Sequence, residues 1–479
     1  MSDGVGLRSE RGPILLALMV ATGIVAIDAT ILATAVPSVV EDLGGYSQFP
    51  WLFSIYLLAQ AITVPIYSKL ADTIGRKPVM IIGIALFLLG SVLCAVAWSM
   101  PALIVFRAIQ GLGAGAVQPM AITIAGDIYT IAERAKVQGY IAGVWAAASV
   151  VGPALGGIFA QLGIWRWIFW VNLPLCIAAL LLIARNFHEP GVRRADAPRH
   201  RIDVAGSLLI MGGAGLAILG VLEGGVAWAW DSPASIGVFV AAAVLLIVFV
   251  FVERRAAEPV LPLALMGRRL IWSSSLISLG IGAGLIGLTS FVPGYLQHAA
   301  GAIPLIAGFA VAALTIGWPI AASMSGRVFY LRIGFKPTVL IGLTIAIVGT
   351  AALAITSAWP SVALVALCCI VTGFGFGLVA TPSLIAAQAS VEWSQRGVVT
   401  GANMFARSIG SAVGAAIFGA ISTAALAGRA ETDAAGAAAA GTAVFVAVLV
   451  TVAAMMLVAL AMPAVRADVT PIPQPAAAD

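Results

Sequence analysis

Asp28 is the one acidic residue deep inside an apolar run of this 479-residue chain, and Arg107 sits at a comparable depth in another run. Asp28 lies about eight residues, roughly 12 Å, from one end of its run, and Arg107 about five residues, roughly 8 Å, from the corresponding end of its own. An isolated charge in hydrocarbon costs at least about 2.5–3.5 kcal/mol on insertion scales. A carboxylate and a guanidinium at similar depth are therefore natural partners. Burial disfavours the charged carboxylate and a neighbouring guanidinium favours it, so a modest movement tips such a pair between holding and releasing a proton. Two roles stay open, a proton carrier and a static structural bridge, with function the default for an intramembrane ionisable group.

Other polar side chains interrupt apolar runs. Gln60, Gln110, Gln118 and Asn403 could hydrogen-bond a substrate or glue helices together. Trp145 and Trp318 could stack on a planar molecule or pack in the core. Arg407 has no acidic partner in any apolar run, which leaves water, backbone carbonyls or Glu392 to meet it. Glu223 at the end of a run is expected to snorkel.

Hydrophobic residues make up 61% of the chain and charged residues 9%, against about 45–50% and about 25% in ordinary globular domains. A soluble domain and a disordered chain are both excluded. A span needs roughly 20 apolar residues. The apolar runs fall at 13–36, 49–68, 79–98, 102–125, 138–160, 168–185, 204–222, 235–252, 270–292, 304–325, 338–356, 361–385, 398–425 and 441–462. They predict fourteen membrane helices, since strands would need alternating polarity. Four cysteines and three histidines fall without metal-ligand spacing, so no metal site and no Ser-His-Asp centre is expected. No phosphate-binding loop supports direct ATP drive. The net charge of +5 is spread in short clusters between runs, so no nucleic-acid partner is expected.

With the N-terminus in the cytoplasm, all but Arg107, Arg166, Arg407 and Arg429 of the 25 Lys and Arg residues fall on the cytoplasmic side. Trp51, Trp98, Trp165, Trp167, Trp170, Trp228, Trp230 and Trp359 then map near the outer interface, where amphipathic rings settle. A cleaved leader ending at Ala33-Thr34-Ala35 is the rival reading of the first run. It conflicts with an internal repeat that needs this span. Gly139, Gly143, Gly152 and Gly156 match Gly397, Gly401, Gly410 and Gly414 at an offset of 258. GRKP at Gly75–Pro78 matches GFKP at Gly334–Pro337 at an offset of 259, and GLGAG at Gly111 matches GFGFG at Gly373 at 262. The repeat pairs spans 1–6 with spans 9–14 in parallel orientation and leaves spans 7 and 8 as an insertion.

Three stretches carry a resemblance. SKLADTIGRKP at 68–78 holds Asp72, Gly75, Arg76 and Lys77; LIVFRAIQGLGAGAVQP holds Arg107, Gln110 and Gly111; and Gly152-Pro153-Ala154-Leu155-Gly156-Gly157 forms a smooth, kinkable face. They resemble the G-x-L-a-D-x-x-G-R-K, R-x-x-Q-G and G-P-x-x-G-G signatures of the major facilitator superfamily, the last being its antiporter signature. Ser68 and Ala148 stand where those signatures have glycine, and the second loop copy lacks an aspartate. With fourteen spans, AIDATILATAVPSV in span 1 and WRWIFWVNLP at Trp165–Pro174, the whole chain resembles the superfamily's fourteen-span drug:proton antiporters of the multidrug efflux type.

The resemblance implies an all-α polytopic fold of two six-helix bundles, 13–185 and 270–462, related by a pseudo-two-fold. Cytoplasmic linkers at 186–203 and 253–269 would flank the inserted helices at 204–252, and a disordered tail would cover 463–479. It implies secondary active transport by alternating access, with a proton as the coupling ion, no other cofactor and no enzymatic reaction. Each charge crossing the membrane is worth about 2.3 kcal/mol per 100 mV. Asp28 and Arg107 would couple the proton. Asp72, Gly75, Arg76 and Lys77 would close the cytoplasmic side, and Gly152, Pro153, Gly156 and Gly157 would seal the halves together. Gln60, Gln110, Gln118, Trp145, Trp318, Asn403 and Arg407 are candidates for a substrate cavity. The expected cargo is a lipophilic drug, cations included, although Arg107 offsets the attraction of Asp28 for cations. The alternatives are an exporter dedicated to one metabolite, antibiotic or lipid, and a passive channel or receptor. A single chain among membrane lipids, in a bacterial cytoplasmic membrane with both termini inside, is the expected setting.

Overall fold

The computed structural model describes residues 5–44, 48–49, 51–189, 203–225, 228–256, 258–426 and 433–465. Most of the linker expected at 186–203, most of the tail expected at 463–479, and Arg193, Arg194, Arg199, Arg201 and Arg429 lie outside the described residues.

Fourteen helices among the described residues are long and apolar enough to cross a membrane. We label them α1 (Gly12–Leu43), α2 (Trp51–Ile74), α3 (Arg76–Ala95), α4 (Met100–Ile128), α5 (Ile131–Gln161), α6 (Asn172–Asn186), α7 (Val204–Glu223), α8 (Pro233–Glu253), α9 (Arg269–Ala299), α10 (Pro304–Met324), α11 (Phe335–Thr356), α12 (Val362–Ala389), α13 (Arg396–Leu426) and α14 (Ala434–Ala461). Their starts follow local rules. Ser99 caps α4 through the amide of Ala102 at 3.3 Å, Thr130 and Glu133 form a capping box on α5, and Asp203 and Asp433 cap α7 and α14. Two expected boundaries shift. The sixth span opens with a one-turn helix, Trp167–Trp170, before α6, and α10 continues through a six-residue π-helical turn, Ser325–Tyr330.

The α2–α3 and α10–α11 turns rest on Gly75 and Gly334, at φ 105° and 88°, in the left-handed region that suits glycine. These are the glycines of GRKP and GFKP, so the repeat read from sequence is a repeat of backbone geometry.

Packing obeys the same two-fold. α1 packs on α5 and α6 as α9 packs on α13 and α14; α4 lies between α2 and α3 as α12 lies between α10 and α11. The halves meet along two equivalent seams, α2 with α13 and α5 with α10. Glycines in matching places let the helices approach closely. Gly90 lies against the backbone of Gln110 and Gly349 against that of Thr372; Gly115 faces the carbonyl of Gln60 and Gly377 that of Trp318.

The inserted pair breaks the symmetry. α7 packs on α8, Gly213 against Leu246, and Ile218 of α7 joins Ala61 of α2 and Ala412 of α13 in one apolar cluster. α7 therefore covers the α2–α13 seam from outside, and α8 backs it on the far side. Ile236, Val240, Val244, Ile247 and Phe251 on α8 are exposed, a row fitted to lipid chains.

Candidate functional site

Asp28 and Arg107 form an ion pair, Oδ2 to Nη1 at 2.7 Å, in the interior of the first bundle. Each is 1% exposed. The carboxylate accepts two further bonds on Oδ1, from Gln110 Nε2 at 2.9 Å and from Asn172 Nδ2 at 3.3 Å. Both amides also donate to Ser91 Oγ, at 3.0 and 2.8 Å. Arg107 donates to Gln110 Oε1 at 2.8 Å and to the Leu52 carbonyl at 3.2 Å, and its Cζ lies 4.1 Å from the centre of the Tyr56 ring. The site thus draws on α1, α2, α3, α4 and α6. Charge-assisted bonds of this kind are about twice as strong as neutral ones, and buried charges need them.

Asn172 and Ser91 carried no assignment from sequence. The signal for Asn172 lay inside WRWIFWVNLP, whose role is now visible. Arg166 Nη1 and Trp165 Nε1 bind Asp42 Oδ2 at 2.6 and 3.1 Å, pinning the segment to α1 and holding the Asp42 carboxyl below the usual carboxylate range. That anchor sets the start of α6, where Asn172 points inward.

Ionic contacts cluster at the ends of α2, α4 and α13, on the face that carries the basic loops, called here the basic face. Arg76 binds Asp72 Oδ1 at 2.7 Å through Nη2 and Asp127 Oδ2 at 3.1 Å through Nε. Asp127 Oδ1 meets Arg396 Nη1 at 3.3 Å. Asp72 also accepts the backbone N–H groups of Gly397 at 3.2 Å and Val398 at 2.9 Å, which places a carboxylate on the positive end of α13. The Arg76 guanidinium stacks 3.6 Å from the Trp393 ring centre and donates to the Trp393 carbonyl at 2.7 Å. Tyr330 Oη donates to the Ile131 carbonyl across the other seam. Lys77 stands apart from this layer, with Nζ donating to the Ala184 carbonyl at 2.8 Å, while Glu189 accepts the Arg76 amide at 2.6 Å at the start of α3 beside Gly75. Asp127, Arg396, Trp393 and Glu189 were missed in the sequence. Only their positions at helix ends hinted at a role.

A cavity of about 360 Å³ lies between the halves. Gln118, Trp145, Trp318 and Arg407 line it, together with Gln138, Thr315, Thr381 and Ser411. Val64, Ile122, Leu384 and Met404 from four helices pack in one apolar cluster, with Ile122 and Leu384 on the cavity wall. Three expected lining residues are absent from it. Gln110 belongs to the Asp28 cluster, Asn403 donates to the Ser274 carbonyl at 3.1 Å and ties α13 to α9, and Gln60 does not line the cavity. Arg407 does not meet Glu392. Its Nε donates to Ser278 Oγ at 3.3 Å and its Cζ lies 5.5 Å from the Trp318 ring centre. Asp28 and Arg107 are also not among the lining residues.

The glycines of the α5 signature pack within their own half, against the expectation that they seal the two halves. A side chain on Gly152 or Gly156 would strike Thr30, Ile31 or Thr34 of α1, within the same half, and Gly157 has open space around it. They do not seal the halves together. Beside them Thr30 and Thr34 donate to the carbonyls of Ala148 and Pro153 at 3.0 and 3.2 Å. Gly410 and Gly414 face α9 in the same way. Among the matched glycines of α5 and α13, Gly139 meets the opposite half at Ser323, its counterpart Gly397 at Asp72, and Gly401, the counterpart of the open Gly143, at Ser68.

The family model of the Major Facilitator Superfamily matches residues 18–201 and 192–415. This chain belongs to the major facilitator superfamily. It falls among that superfamily's multidrug efflux proteins. It is 35% identical over 419 residues to the multidrug transporter protein MdtP of Bacillus subtilis, an alignment covering 88% of this chain and 76% of that protein. It is 33% identical over 412 residues to multidrug resistance protein 3 of the same organism, covering 86% of this chain and 79% of that one. The structure of the proton:xylose symporter XylE superposes with a TM-score of 0.63 at 14% identity, over 95% of this chain and 96% of the other, a likeness of fold alone.

Within this superfamily member the second bundle lacks the charged pair. Cys369 stands at the position of Arg107 and Thr372 at that of Gln110, by the 262-residue offset. Among the described residues the Asp28–Arg107 arrangement has no counterpart in the second half.

Proposed function

We propose that the protein exports lipophilic small molecules from the cell by proton antiport, through alternating access of the central cavity. The observation that carries this reading is the buried Asp28–Arg107 pair, built at the junction of five helices rather than on a cavity wall. As a bare carboxylate Asp28 holds Arg107. A proton on Asp28 cancels that attraction, and the remaining partners of Arg107 are Gln110, the Leu52 carbonyl and the Tyr56 ring, two of them on α2. α2 is also the helix whose far end carries Asp72 on the N-terminus of α13. Protonation near one end of α2 is thereby linked to closure of the basic face at the other, as a two-state element biased from two sites.

The basic face is the cytoplasmic one under the positive-inside rule, and the membrane is a bacterial plasma membrane in this reading. The structure is then closed to the cytoplasm. Asp28 exchanges its proton when the outer ends of α1, α3, α4 and α6 part. The chain acts as a single unit, since both seams and the cavity are internal to it.

Purified protein in proteoliposomes under an imposed pH gradient tests this. Gradient-driven movement of a fluorescent lipophilic probe that collapses with the gradient, and that Asp28→Asn abolishes while the variant remains folded, is the expected result. Flux independent of the gradient would make the protein a channel, and full proton-driven transport by Asp28→Asn would remove Asp28 from the mechanism.

A further inference from the structure

The sign of the charge in the cavity points to the class of cargo. Among the described lining residues Arg407 is the one charged side chain, and the others are apolar or neutral. It lies about eleven residues, roughly 16 Å, from the basic end of α13, near the middle of the membrane. No ion pair involves it among the described residues. Its one protein hydrogen bond is the 3.3 Å contact from Nε to Ser278, so the two Nη groups have no acceptor among the described residues. Trp318, 5.5 Å from its Cζ, braces the guanidinium from one side, and Trp145 lines the same space from the other half of the molecule. The equivalent position in the first half is Ser149, which pairs with Thr315 at 3.2 Å, so repeat symmetry does not demand an arginine here.

An arginine with free N–H groups in a low-dielectric cavity calls for an anion. A planar guanidinium matches a carboxylate in two parallel bonds. A quaternary ammonium would face like charge with no carboxylate to offset it, because no acid lines the cavity and Asp28, the one acid deep inside an apolar run, is spent on Arg107. We infer that the cavity selects lipophilic organic acids, with the carboxylate or phenolate on Arg407 and the aromatic or aliphatic body between Trp145 and Trp318. This inference rests on the cavity being the cargo site of the exporter proposed above. It replaces the cationic cargo left open by the sequence.

The test uses three probes of one shape: 1-naphthylacetate, 1-naphthylacetamide and (1-naphthylmethyl)trimethylammonium. Binding to the full chain in nanodiscs is read by isothermal titration. The acid is expected to bind about tenfold or more tightly than the amide, the margin of a charge-assisted bond, and the ammonium most weakly. Arg407→Gln should erase the preference for the acid while leaving the amide affinity in place, and Arg407→Lys should keep part of it. An ammonium probe that binds as well as the acid overturns the inference on the wild-type protein alone, whether or not either variant folds. An acid preference that survives Arg407→Gln overturns it equally. The proteoliposome assay separates this from the broader reading. Gradient-driven export without acid preference sinks the inference only, whereas Arg407-dependent acid binding without gradient-driven movement sinks the transport mechanism only.

Discussion

Asp72 accepts the backbone N–H of Val398 at 2.9 Å, so a carboxylate from the first half serves as the N-terminal cap of a helix in the second. The bond spans the α2–α13 seam, and the same carboxylate holds Arg76 at 2.7 Å. A charged group at a helix N-terminus is worth about 0.3–1 kcal/mol exposed and up to about 2 kcal/mol when partly buried. Asp72 contributes that much to one conformer and nothing to a conformer in which the seam has opened.

Asp72→Asn keeps the shape and removes the charge. It should shift the population toward the state open on the basic face by about tenfold, given the upper part of that range. Distances between spin labels on the basic ends of α2 and α13 would report the shift. An unchanged distance distribution would remove Asp72 from gating.

Arg107→Gln leaves the Asp28 carboxylate buried beside amides alone. Breaking one partner of such a pair costs about 3–5 kcal/mol, whereas replacing both can be near neutral. Arg107→Gln should lower the melting temperature in detergent markedly, and Asp28→Asn with Arg107→Gln should regain most of it. Additive losses in the double variant would mean that the two side chains do not interact.

Gly156→Leu would push a side chain into the Ile31 carbonyl and Thr34, while Gly157→Leu enters open space. The first should destabilise the protein by at least about 2 kcal/mol and the second by less than about 0.5 kcal/mol, the range for surface sites. Thermal melts of the two variants side by side decide it.

Gly139→Val acts elsewhere, because its side chain would meet Ser323 of the opposite half, whereas Gly143→Val meets nothing within 4 Å. Gly139→Val should leave the melting temperature near wild type and abolish turnover by propping the seam apart on the basic face. Labels across α5 and α10 should move apart in Gly139→Val and stay in place in Gly143→Val. A Gly139→Val variant that transports normally would show that this seam need not close.

The sequence made the fourteen helices and the two-fold legible, because lipid imposes length and apolarity on every span and the repeat glycines keep their spacing. It also paired Asp28 with Arg107, since depth along a helix follows from counting residues. Facing was harder. Gln110 and Gln118 lie eight residues apart on α4, yet one binds Asp28 and the other lines the cavity. Asn403 and Arg407 are one turn apart on α13 and reach Ser274 and Ser278 in succession, but only Arg407 borders the open space. Which side of a span meets which neighbour depends on how the bundle closes, and an apolar helix in lipid carries little amphipathic signal to reveal it. The same limit hid the true partners of Gly152 and Gly156. Their small size predicted close approach, and only the packed bundle chose α1 as the partner.

Because α7, backed by α8, screens the α2–α13 seam and no equivalent helix covers α5 and α10 among the described residues, two joints that are twins by symmetry work against different surroundings. One slides beneath a proteinaceous cover that travels with the chain. The other grinds directly on acyl tails, so changes in lipid fluidity or lateral pressure act on a single side of the rocking motion.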